Sequence, residues 1–212
     1  MPTTSIAYML RMVDRDTDFI DCFEHVLGMQ PKSRAREYDL LAILVGNATN
    51  QGIYGISQIS DRTYNKLSAI QANYLRLETL NAANDCITNA TAKLPIFKYY
   101  NIQKEIIHAS ADGQKFETRR ETFKTRYSSK YFGTQKGLSA MSLIANHAAI
   151  NARVIGANES ESHFIFDLLM SNSSQISPDV LSTDTHGVNH VNFALLDLFG
   201  YQFARVMPMS VK

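Results

Sequence analysis

Near Lys104 the hydrophobic pattern of the chain changes period, and that change restricts the possible folds more than any single motif does. Before it, apolar residues recur at three- and four-residue steps, the spacing that gathers side chains on one face of a helix. After it, β-branched and small residues come in short runs between turn signals, the spacing of strands. Helices followed by short strands and helices point to an α/β protein, α+β overall. A helical lobe is expected over residues 1–100 and a sheet-containing core over residues 101–212.

Within the first part, Asp18 is placed to cap a helix carrying Phe19, Phe23, Val26 and Leu27, with Gly28 and Pro31 as its stop. A second helix is expected over residues 38–45. Gly46, Asn47, Asn50, Gly52 and Gly55 then break the pattern into turns. The longest periodic segment runs from about Asp61 or Thr63 to Lys93, through Leu67, Ile70, Tyr74, Leu77 and Ile87, and Pro95 closes it. Short helices before a long one suit either a helix-turn-helix that reads DNA or a packed helical lobe.

In the second part, strands are expected over residues 106–111, 139–146 and 152–157, with a hairpin break at residues 149–151. Asn158 or Ser160 can cap a helix containing Phe164, Ile165, Leu168 and Leu169. A strand over 180–183, a helix over 188–199 stopped by Gly200, and a strand over 201–206 ended by Pro208 complete the pattern. Three strands in a meander, then helix, strand, helix and strand, is the element order of an RNase H-like core. It builds a mixed five-stranded sheet with flanking helices.

Two of these strands deliver an aspartate: Asp112 after the run from Ile106, and Asp184 after Val180. If the strands are parallel neighbours, both carboxylates reach one rim of the sheet, where open α/β sheets hold ligands. Phosphodiester hydrolysis or transfer with two divalent cations needs such converging acids, because the metal pair clamps both the attacking and the leaving oxygens. Asp112 and Asp184 are therefore the candidate catalytic and metal-binding residues, with Gln114 and His186 as hydrogen-bonding neighbours. The plain alternatives are that Asp112-Gly113 is a hairpin-turn dipeptide and that Asp184 or Thr185 caps the following helix. His186 and His190 are spaced as zinc ligands on a helix face, but no third helical ligand follows.

The chain's net charge of +1 conceals an uneven distribution. Residues 115–136 hold seven cations against Glu117 and Glu121, +5 in 22 residues. Phe116, Phe123, Tyr127, Tyr131 and Phe132 are interleaved with them, which suits phosphate contact and base or sugar stacking. Arg119, Arg120, Lys124, Arg126, Lys130 and Lys136 are the candidate DNA-binding residues. Cys22 and Cys86 lack the spacing of a zinc site and read as free thiols. No apolar run approaches the roughly 20 residues that span a bilayer, so a soluble, non-membrane protein is expected.

Residues 110–114 (Ser-Ala-Asp-Gly-Gln), Tyr131-Phe132-Gly133, residues 183–187 (Thr-Asp-Thr-His-Gly) and residues 199–205 (Phe-Gly-Tyr-Gln-Phe-Ala-Arg) resemble, in order and spacing, the catalytic region of the Tn-three family of replicative DDE transposases. Leu40-Leu41-Ala42-Ile43, Asn47, residues 49–52 and Leu94-Pro95 resemble the helical part that precedes it. The resemblance implies an RNase H-like enzyme that uses Mg²⁺, or Mn²⁺, to nick transposon 3′ ends and join them to target DNA. It implies transposon ends and target DNA as partners, a second copy or the full-length transposase as a protein partner, and a cytoplasmic, nucleoid-associated place in a bacterium. Asp112 matches the first catalytic aspartate and Asp184 the second; Arg205 matches a basic residue after the fifth strand, expected to contact phosphate. The family's third acid, a glutamate, lies on a helix well beyond that strand, whereas this chain stops at Lys212. Glu159 and Glu161 precede Asp184 and do not take that place. The expectation is a transposase piece truncated after the fifth strand, inactive or weakly active alone. Its alternative is a non-catalytic remnant that binds DNA or a transposase.

Overall fold

The computed structural model describes residues 4–28, 34–184 and 189–205, with Arg205 described by its backbone alone. The chain divides into two compact units, Met1–Ala90 and Thr91–Lys212.

The first unit is helical. Helix α1 (Ile6–Thr17) begins where the Ser5 hydroxyl accepts the Tyr8 N–H and ends at Asp18, whose φ of 53° turns the chain out of the helix. Asp18 therefore follows one helix and precedes only a short 3₁₀ turn, Phe19–Cys22, instead of capping a long helix. Phe19, Ile20 and Phe23 bury against Leu40 and Leu41 of α2 (Glu37–Ala48), together with Tyr74 and Ala83. Helix α3 (Gly52–Ile59) crosses α2 closely: a Cβ on Gly46 would run into Ile56.

The long periodic segment is two helices, α4 (Tyr64–Tyr74) and α5 (Leu77–Lys93). Leu75 is extended between them, and the buried Thr79 hydroxyl accepts the Arg76 N–H while donating to the Tyr74 carbonyl. Apolar spacing survives across the break because both helices face the same core. The Asp39 carboxylate, fully buried in the first turn of α2, lies 2.8 Å from Arg62 Nε and 2.7 Å from Lys66 Nζ. Neither contact is aligned as a hydrogen bond, so the attraction is mainly Coulombic.

The second unit opens with a 3₁₀ segment, Pro95–Tyr100, and is built on one mixed sheet. Its elements are β1 (His108–Glu117), β2 (Arg126–Tyr127), α6 (Ser129–Phe132), β3 (Lys136–Ala145), β4 (Ala148–Gly156), α7 (Ile165–Met170), β5 (Val180–Thr183), α8 (His190–Leu198) and β6 (Gln202–Arg205). The order is β2-β3-β1-β5-β6, with β4 also on β3. β1, β3 and β4 are antiparallel, while β1, β5 and β6 run parallel. Leaving aside the two-residue β2, this meander followed by two parallel strands is the RNase H-like arrangement.

Three features differ from the sequence pattern. β1 runs through Asp112 and Gly113 to Glu117, because β3 pairs with it along its whole second half, from Asp112↔Ser142 to Glu117↔Gly137. The β3–β4 turn falls at Asn146 and His147, both with positive φ, and β4 starts at Ala148. The two-residue β2 makes the sheet six-stranded. Alternate residues of β1 and β3 (Ala109, Ala111, Met141, Leu143 and Ala145) bury under Ile165, Leu168 and Leu169 of α7 and Leu196 of α8.

Candidate active site

Parallel pairing of β1 with β5 sets the register His108↔Val180 through Ala111↔Thr183. The next residue on each strand is an aspartate, Asp112 and Asp184, so the two acids occupy adjacent places on strands roughly 4.8 Å apart. Both are exposed. β5 ends there while β1 continues beside β3, so Asp112 lies mid-strand on an edge that β5 has just vacated. Its Oδ1 accepts the Gly113 N–H at 2.8 Å. Asp184 is not the cap of the following helix: α8 is capped by Asn189, whose side chain accepts the Asn192 N–H at 2.7 Å.

Asp184 opens into a cleft of about 820 Å³. Gly113, Gln114 and Lys115 of β1 form one wall, the segment from Tyr127 to Tyr131 a second, and residues 157–161 a third. Asp112 is not among the residues that line it.

On the cleft side, Glu161 Oε1 lies 3.3 Å from Lys115 Nζ and accepts the Ser139 hydroxyl at 3.1 Å. Both charged side chains are only 15% exposed. The Glu161 carboxylate is seated directly on Gly113, where a Cβ would overlap it. Gly113 is thus a close-approach glycine inside a strand, which removes the hairpin reading of Asp112-Gly113. Glu161 is held from behind as well: the buried Asn192 of α8 donates to the Ser162 carbonyl at 2.8 Å.

The remaining expected site residues are scattered. Arg119 and Arg120 are exposed in the loop after β1. Lys124 donates to the Val154 carbonyl at 2.7 Å, and Arg126 to the carbonyls of Phe123 and Thr125. Lys136 pairs with Glu121 at 2.6 Å, and that hydrogen bond holds its ammonium above its ordinary pKa. Lys130 lines the cleft with its ammonium over the Tyr131 ring, and Gln114 lines it from β1. His186 and the Arg205 side chain lie outside the described residues; the Arg205 backbone pairs with Thr183. His190 is exposed at the start of α8. Among the described residues no three His, Cys, Asp or Glu side chains converge as a metal site, and no helix is long and apolar enough to cross a membrane. Cys22 and Cys86 are free thiols with their sulfurs 3.2 Å apart.

Residues 9–208 match the family described as Tn3 transposase DDE domain. The chain belongs to the Tn3 transposase DDE domain family. It is 28% identical over 207 residues to the transposase of transposon gamma-delta from Escherichia coli K12, a match covering 96% of this chain and 20% of that protein. Similar matches are the transposases of Tn4556 from Streptomyces fradiae, 26% identical over 96% of this chain and 23% of that protein, and of Tn501 from Pseudomonas aeruginosa, 28% identical over 96% and 20%. This Tn3-type domain therefore spans about a fifth of the length of those relatives. Among solved structures it is similar to the Mos1 strand transfer complex, with a TM-score of 0.34 and 9% identity over 85% of this chain and 61% of that one.

Sequence reasoning about the Tn3-type domain missed the Lys115–Glu161–Ser139 cluster. The three are far apart in the chain, and by position Glu161 is only an acid that precedes Asp184. The one available signal was the glycine after Asp112, since a strand-interior glycine marks close approach by another group.

Proposed function

We propose that this chain supplies the first two acids, Asp112 and Asp184, and part of the DNA-contacting surface of a DNA transposase, for nicking of transposon 3′ ends and their transfer to target DNA. The observation that carries the reading is the register Ala111↔Thr183, which puts two aspartates at the next positions of neighbouring parallel strands, within a chain of the Tn3 transposase DDE family. Adjacent exposed carboxylates fit a hard divalent cation such as Mg²⁺ or Mn²⁺, which takes one or two carboxylates and fills its other positions with water and phosphate oxygens. When bound, such a cation supplies Lewis-acid polarisation of the phosphodiester. Asp112 and Asp184 hold the cation. Lys130 neutralises DNA phosphate in the cleft, Arg119, Arg120, Lys124, Arg126, Lys136 and Arg205 are the further phosphate contacts outside its lining, and the exposed rings of Tyr127 and Tyr131 line the cleft for base or sugar contact. Gln114 and His186 support the acids through hydrogen bonds.

Among the described residues no third acid joins Asp112 and Asp184, and two carboxylates by themselves hold such a cation weakly. A second copy or a full-length transposase is the protein partner that this arrangement calls for. A DNA-bound protein of this kind resides with the nucleoid, in the bacterial cytoplasm.

The test is Mn²⁺ binding, read by loss of the free-ion paramagnetic resonance signal, beside nicking of supercoiled plasmid. The expected result is weak Mn²⁺ uptake that disappears in both Asp112→Asn and Asp184→Asn, with DNA affinity retained. Uptake unchanged in both variants overturns the two-aspartate site; retained DNA affinity without any metal response favours the non-catalytic remnant.

A further inference from the structure

The geometry points to Lys115 as a phosphate-binding residue of the cleft, held in place for an incoming DNA strand by Glu161 and Tyr131. The inference rests on the proposed function, since it takes DNA as the occupant of the cleft.

Three observations carry it. The Lys115 side chain is 15% exposed, yet only one of its three ammonium hydrogens has a carboxylate partner, Glu161 at 3.3 Å. The ring of Tyr131 lies 4.9 Å from the same nitrogen, and the other two N–H donors have no acceptor among the described residues. Lys115 borders the cleft, and a charge-assisted hydrogen bond to an anionic oxygen is stronger than one between neutral groups. Second, a buried ion pair adds little net stability, because desolvation offsets the attraction. The pair does, however, fix where the ammonium sits: on β1, facing the cleft into which Asp184 opens. Third, most of the neighbouring cations do not line the cleft. Lys124 and Arg126 are tied to main-chain carbonyls and Lys136 to Glu121, which leaves Lys115 and Lys130 as the cations of the cleft lining.

An ammonium is a compact charge that can share its hydrogens between a carboxylate and a phosphate oxygen. Glu161 keeps the lysine from turning outward to bulk water, and Gly113 lets Glu161 approach closely enough to do so. The ligand is one non-bridging phosphodiester oxygen of the strand entering beside Asp184.

The experiment compares the unaltered chain with a Lys115→Met/Glu161→Gln double variant in binding a short labelled duplex between about 50 and 200 mM salt. The double change removes one charge of each sign, so net charge is constant and no buried charge is orphaned. The expected result is a plot of log affinity against log salt that is shallower by about 0.9, the value of one lost phosphate contact. Lys115→Arg, made alone, keeps the original slope. An unchanged slope in the double variant overturns the role of Lys115 while leaving the proposed function standing; no duplex binding by the unaltered chain overturns both. Should the double variant not reach the native fold, acetylation of Lys115 in the unaltered chain decides: duplex slows it if the contact exists, and an unchanged rate refutes it.

Discussion

Replacing Gly113 with alanine tests how the cleft is built. The new methyl group would overlap the carboxylate carbon and both oxygens of Glu161. Those atoms cannot simply retreat, since one oxygen accepts from the fully buried Ser139 hydroxyl at 3.1 Å and lies 3.3 Å from Lys115. Either β1 bulges and loses its pairing at Gly113↔Met141, or Glu161 leaves both partners. Overpacking of this kind costs about 1–3 kcal/mol, and a stranded buried hydroxyl adds about 1–3 kcal/mol. A loss of about 3 kcal/mol is expected from Gly113→Ala in urea unfolding followed by far-UV circular dichroism. Gly113 does not have positive φ, so alanine suits its backbone once the clash is gone. Against a Glu161→Ala background the same substitution should be neutral or stabilising by about 0.5–1 kcal/mol. The double-mutant cycle should therefore show coupling of at least about 2 kcal/mol, where independent sites add to within about 0.5. Additive effects would refute the seating of Glu161 on Gly113.

Asp39→Ala should destabilise the helical unit by about 3 kcal/mol, the lower end for a broken buried pair, because Lys66 can turn to water while Arg62 stays largely enclosed. Arg62→Met should cost more than Lys66→Met, and the reverse order in urea midpoints would contradict this account. Burial, reinforced by the neighbouring Cys86 thiol, pushes the Cys22 thiol up to about 12 from an ordinary 9.0. The folded state then holds its proton more tightly than the unfolded state, so this contribution is full below pH 9 and is lost as pH rises toward about 12. Cys22→Ser should flatten that part of the stability profile; an identical fall in the variant rules the thiol out. Asn192→Ala strands the Ser162 carbonyl and should cost about 1–3 kcal/mol. Because Ser162 follows Glu161, it should also weaken duplex binding, and unchanged affinity at full folding would show that α8 does not brace the cleft.

The change of period near Lys104 was sufficient to place helices before strands, and the runs around Ala109, Leu143 and Leu181 marked core strands correctly. Boundaries read less well where partners decide them. Asp112-Gly113 looks like a turn in isolation, and only pairing with Ser142 and Met141 keeps the strand going. The joint between α4 and α5 escaped notice for a similar reason: apolar spacing reports which side faces the core, and both helices face one core. Helix α1 was missed altogether, its Ile6, Tyr8, Met9 and Met12 being largely exposed.

By itself the sequence determined the family and the succession of a helical part and a sheet part, and it nominated Asp112 and Asp184 as acids to pair, because these depend on local spacing and short motifs. Tertiary structure alone decided the parallel register beside β5, the seating of Glu161 on Gly113, and the meeting of Lys115, Ser139 and Glu161. Those outcomes depend on hydrogen bonds and close approaches between residues distant in the chain, and such pairings leave little local trace beyond a glycine where another side chain needs the space.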